Sequence, residues 1–160
     1  MRFVILIILV IVLDQLSKSQ VVAHFALHES LPVIPGFFSL TYLTNTGAAF
    51  GILAGHPTWW RQAFFVGVAL IALVVICVMY RRLRDHSLWY EVALAFIAGG
   101  AIGNGIDRVR LGSVIDFLDV YVGTHHWPAF NVADSAITVG VAIFLVMNIF
   151  FADNAAGTRK

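Results

Sequence analysis

Charge is scarce in this chain of 160 residues: ten Lys or Arg and nine Asp or Glu make only 12% of it, against 60% hydrophobic residues. A soluble domain carries about a quarter charged residues, so the shortage points to an integral membrane protein. The formal net charge of +1 leaves no electrostatic basis for nucleic-acid binding. The single cysteine, Cys77, excludes an internal disulfide, and neither a His nor a helix start lies beside it to activate the thiol. With only Lys18 and Lys160 as lysines, a serine–lysine dyad built on Ser113 or Ser135 has little to draw on. His125 and His126 are adjacent, so their side chains diverge on a regular element; without HExxH-type spacing the sequence asks for no metal, and for no other cofactor. Repeats and low-complexity tracts are lacking, and residues 1–160 read as a single membrane domain.

What is present is four apolar stretches, about residues 3–23, 62–80, 88–106 and 131–152. Each approaches the roughly 20 residues that cross a bilayer as a helix. The unbroken part of the first, Phe3 to Leu13, is short enough for a cleaved signal peptide led by Arg2, but no small-x-small site follows it, and a spanning helix is the better reading. The third is rich in small residues (Ala98, Gly99, Gly100, Ala101, Gly103, Gly105), which let helices approach closely in lipid. Arg81, Arg82 and Arg84 lie between the second and third stretches, while Arg2, Arg159 and Lys160 mark the termini. Four spans place these on one side, and the positive-inside rule makes that side the cytoplasm. Residues 24–60 and 107–130 then face outward, with Trp59, Trp60, Tyr121 and Trp127 as an interfacial belt. Segment 31–53 is β-rich: Pro32, Pro35 and Gly36 open it, Phe37 to Leu43 favour a strand, and Asn45-Thr46-Gly47 signals a turn. The expected fold is an all-α polytopic membrane protein of four transmembrane helices, both termini cytoplasmic, with a small β-sheet on the outer face.

The few polar residues are grouped. Asp14 and Lys18 share a helix face at i,i+4, which suits a structural ion pair or a place in a site. Asn104, Asp107 and Arg108 share a face at the outer end of the third helix, either as a helix end or as a scaffold for carboxylates. Asn131 and Asp134 have capping-box spacing. Asp116 lies 18 residues before Asp134, across a segment short enough to fold back, with Asp119 as the rival partner. On a strand over 114–120 the two rivals face opposite ways, so only one can meet Asp134. Two carboxylates with a water between them can hydrolyse an amide. A proton-coupled carrier, or a structural subunit in which these residues merely cap helices, is the alternative.

Five blocks, in order, carry a resemblance: Asp14-Gln15-Leu16-Ser17-Lys18, Asn45-Thr46-Gly47-Ala48-Ala49-Phe50-Gly51, Gly103-Asn104-Gly105-Ile106-Asp107-Arg108, Val114-Ile115-Asp116-Phe117 and Phe130-Asn131-Val132-Ala133-Asp134. Together they resemble the bacterial lipoprotein signal peptidases, or signal peptidase II, over nearly the whole chain. The resemblance implies a multi-pass aspartic endopeptidase of the bacterial inner membrane, its active site toward the periplasm. Its implied substrate is a prolipoprotein, cut just before a diacylglyceryl-modified cysteine, with membrane lipids as the other partner. The family's catalytic aspartates fall on Asp116 and Asp134, and its supporting positions on Asp14, Asn45, Gly47, Asn104, Asp107, Arg108 and Asn131. An aromatic clamp for the lipidated segment, built from Phe37, Phe38 and Phe50, is a further expectation.

Overall fold

A computed structural model describes residues 1–47, 55 and 58–151. Four helices long and apolar enough to cross a membrane are present among them: α1 (Arg2–His24), α2 (Trp59–Leu83), α3 (Leu88–Leu111) and α4 (Val132–Phe151). Apolar runs of this length form helices in lipid because every backbone polar group must be satisfied within the segment. Each helix overlaps its expected span, and the largest departure at any one end is that of α3, which runs five residues past the expected end at 106. The polar face of Asn104, Asp107 and Arg108 therefore stays helical until Gly112, whose φ of 76° closes the helix as its N–H bonds Arg108 O at 3.0 Å.

Helix α3 is the centre of the bundle and packs against α1, α2 and α4. Its small residues permit this. A Cβ at Gly99 would stand 2.7 Å from Val10 Cβ, and one at Gly100 would collide with the backbone oxygen of Ala133. At the end away from the polar cluster, Ile76, Leu94 and Ala98 form a small core beside the stacked Phe3 and Tyr80 rings, 3.9 Å apart.

The sheet has four antiparallel strands in the order β1 (Ser30–Ile34), β2 (Phe38–Asn45), β3 (Val114–Val122), β4 (His125–His126). This enlarges the expectation of a sheet within 31–53: that segment supplies only β1 and β2, and residues 48–54 lie outside the described ones. The long inner partner comes from the other connecting segment, through pairs such as Thr44↔Ile115 and Asn45↔Val114. Such pairing joins residues about 70 positions apart, and local pattern carries no trace of it. The all-α description thus understates an architecture in which β2 and β3 form one wall of the site.

Candidate active site

Side chains from α1, β2, β3, α3 and α4 meet where the C-terminal halves of α1 and α3 pass the start of α4. That start is a capping box: Asn131 Oδ1 accepts the Asp134 N–H at 2.9 Å, and Asp134 Oδ2 accepts the Asn131 N–H at 3.2 Å. The cap expected from the spacing of Asn131 and Asp134 is therefore present, and it lies within the candidate site. Asn131, fully buried, also donates through Nδ2 to Asp116 Oδ1 at 2.8 Å, to Ile115 O at 3.1 Å and to Asn104 Oδ1 at 3.1 Å. One amide thus holds both aspartates.

Asp134 Oδ1 accepts Asn104 Nδ2 at 2.8 Å. Asp116, on β3, receives the Asn45 side chain as a second partner, and Asn45 Oδ1 accepts the Gly47 N–H at 2.9 Å. Gly47 O in turn accepts Arg108 Nη2 at 2.7 Å, and the guanidinium lies 4.1 Å from the centre of the Phe65 ring on α2. Asp116 is pushed up from the ordinary carboxylate value to about 7. Burial is the main cause and the charge of Asp134 the second, opposed by hydrogen bonds from Asn45 and Asn131 and by the charge of Lys18.

Beneath the pair lies a buried charge cluster. Lys18, only 2% exposed, reaches Asp14 Oδ2 at 2.9 Å and Asp107 Oδ2 at 2.8 Å. Gln15 donates to Asp107 Oδ1 at 2.9 Å, and Asp107 Oδ2 accepts the Ile115 N–H at 3.2 Å, which ties the start of β3 to α3. In the sequence Lys18 stands out only as the partner of Asp14, and Gln15 only as part of the first motif block. The signal was there in the i,i+4 partner of Asp14, but its contacts with Asn104 and Asp107 depend on helix packing.

Above the pair is a cleft of about 810 Å³. Asn45, Asn104, Arg108, Asp116 and Asp134 give it polar groups, while Leu43, Phe130 and Ile137 give it apolar walls. Asp119 takes no part; its carboxylate accepts His126 Nδ1 at 2.9 Å on the far side of β3. Phe37 and Phe38 do not line the cleft either, because they stand at the opposite end of β2 from Asn45. Phe50 lies outside the described residues.

The family model for "Signal peptidase (SPase) II" matches residues 6–151. The chain belongs to the signal peptidase II family. Members of this family are aspartic peptidases, and the carrier reading is left without support. Relatives named "Lipoprotein signal peptidase" include one from Geobacter sulfurreducens, 57% identical over 85% of this chain and 84% of its own. Another, from Syntrophus aciditrophicus, is 54% identical over 88% of this chain and 87% of its own. A solved structure described as a bacterial membrane enzyme, at 2.3 Å resolution, is 31% identical with a TM-score of 0.82, covering 99% of this chain and 93% of that one. With four membrane-spanning helices, the family member described here is a multi-pass membrane protein.

Proposed function

We propose that Asp116 and Asp134 are the catalytic dyad of this peptidase, and that it cuts a lipoprotein precursor immediately before a cysteine carrying a diacylglyceryl group. Removal of signal peptides from lipoprotein precursors is the activity of its family. The observation that carries the dyad is Asn131, whose side chain bonds Asp116 at 2.8 Å and whose backbone is capped by Asp134 at 3.2 Å, both carboxylates on the wall of one cleft.

A dyad of this kind holds one proton. The ionised aspartate takes a proton from water as the water oxygen bonds the scissile carbonyl carbon. The protonated aspartate gives its proton to the carbonyl oxygen. The tetrahedral diol then collapses: a hydroxyl proton returns to the second aspartate, the first protonates the leaving nitrogen, and the C–N bond breaks. The dyad ends with the one proton it began with. Asn45, Asn104 and Asn131 position the carboxylates, and Arg108, braced by Gly47 and Phe65, adds positive charge beside them.

The site lies at the end of the bundle away from the turn holding Arg81, Arg82 and Arg84, which favours a bacterial inner membrane with the dyad toward the periplasm. There the substrate's acyl chains stay in the outer leaflet while the cleft receives its backbone. The test is cleavage of a diacylglyceryl-modified precursor, and of the same precursor without the lipid, by purified protein. We expect the lipidated substrate alone to be cut, and Asp116→Asn or Asp134→Asn each to abolish cutting while the fold persists. Cleavage surviving either substitution overturns the dyad; equal cleavage of both substrates overturns the lipid requirement.

A further inference from the structure

The mechanism above leaves a buried cation unused. An ammonium has three donors and no acceptor, and Lys18 directs its three at Asp14 Oδ2 (2.9 Å), Asp107 Oδ2 (2.8 Å) and Asn104 Oδ1 (2.9 Å). It has no donor left for substrate and no lone pair to act as a base. Pairing with carboxylates offsets the cost of burying it. The third partner is an amide oxygen, and that contact has a direction.

Asn104 Oδ1 receives both Lys18 Nζ and, at 3.1 Å, Asn131 Nδ2. Turning the amide over would place its NH2 against an ammonium and another NH2, so the orientation is locked. Its NH2 then points at Asp134 Oδ1, 2.8 Å away, while Asp134 Oδ2 accepts the Asn131 backbone N–H at 3.2 Å. Both oxygens of Asp134 are thereby held as acceptors, the arrangement that favours an ionised carboxylate over a protonated one, whose hydroxyl oxygen is the weaker acceptor. Asp134 also sits in the first turn of α4, where the helix dipole favours negative charge. Asp116 stands on a strand, which provides little net dipole, and among the described residues its amide donors, Asn131 and Asn45, set their oxygens against backbone N–H groups rather than a cation.

We infer that Lys18 is a positioning residue which, through the locked Asn104 amide, keeps Asp134 the ionised member of the dyad, making Asp134 the base and Asp116 the acid. This rests on the dyad proposed above. The proton from the attacking water goes to Asp134, and the carbonyl oxygen takes its proton from Asp116. The other charged groups near the pair are Asp14 from α1 and Asp107 and Arg108 from α3.

The test measures kcat and KM of the full chain on the lipidated precursor from about pH 5 to 9. It compares wild type, Lys18→Met, Lys18→Arg, Asn104→Ala and the double variant Lys18→Met/Asn104→Ala, with the folded fraction checked by thermal unfolding. Losing the donor to Asp134 makes its ionised form harder to keep. The acidic limb of kcat/KM should therefore move to higher pH by about one unit, a tenfold change in proton affinity. We expect kcat to fall roughly 10²-fold in each single variant with KM within about threefold, and the double variant to be no worse than the poorer single one. If Lys18→Met does not fold, Asn104→Ala carries the test alone, because Lys18 keeps both of its carboxylates there. A folded Asn104→Ala enzyme with an unmoved acidic limb overturns the inference, as does full additivity in the double variant. A wild type that fails to cut, or that cuts without either aspartate, defeats the dyad reading instead, so the two failures are distinguishable.

Discussion

Asp14 on α1 accepts the backbone N–H of Ala133 on α4 at 3.0 Å, across 119 residues of sequence. The first N–H groups of a helix have no partner within it, and side chains close by in sequence usually serve them. Here Asn131 serves Asp134, and a residue from another helix serves Ala133. The helix that carries Asp134 is therefore seated by α1.

Removing this seat should be costly. Asp14→Ala takes away the cap of Ala133 and one partner of a buried lysine, so a loss of about 3–5 kcal/mol is expected. Thermal unfolding in detergent measures it. A change below about 1 kcal/mol, the size of an ordinary exposed pair, would show that Asp14 does not hold the cluster.

Two glycines on α3 make a matched pair. A Cβ at Gly103 would stand 2.7 Å from Asp14 Oδ2, whereas one at Gly105 would meet nothing within 4 Å. Gly103→Ala should push Asp14 off Lys18 and lower cleavage by more than about tenfold. Gly105→Ala should leave cleavage within about twofold and raise stability by up to about 1 kcal/mol, because alanine orders the helix at less entropic cost. Similar behaviour of the two variants would rule out close approach at Gly103 as the cause.

The raised value of Asp116, about 7, has a signed consequence for stability. An unfolded aspartate releases its proton near pH 3.9, so between that point and about pH 7 the folded chain binds more protons than the unfolded one. Stability then falls as pH rises through this window and levels off above it. Asp116→Asn removes the dependence. Its stability relative to wild type should climb from pH 5 to pH 8, at about 2–4 °C in Tm for each kcal/mol. A constant difference in Tm across that range would contradict the raised value. In wild type, cleavage should decline above about pH 7 as the proposed dyad loses its shared proton.

Asp119 offers the opposite expectation. It bonds His126 and lies outside the cleft, so Asp119→Asn should leave cleavage within about twofold and cost at most about 1 kcal/mol. Loss of cleavage in a folded Asp119→Asn chain would reopen the choice between the two acids of β3.

The sequence determined the parts that depend on local pattern. Four spans follow because the backbone has no water to bond in a bilayer, and about 20 apolar residues are what a helix needs to cross. The Asn131–Asp134 cap follows from i,i+3 spacing, and the opposite facing of Asp116 and Asp119 from the two-residue period of a strand. The tertiary structure decided which acid enters the cleft, since the pairing of Leu43 with Asp116 and Ser39 with Asp119 sets the register of β3 against β2. It also decided the role of Lys18, which reads as half of an i,i+4 pair and becomes the hub of Asp14, Asp107 and Asn104 once Gly99, Gly100 and Gly103 let the helices close. Strand register and helix approach are contacts between residues far apart in the chain, set by packing, and no local pattern encodes them.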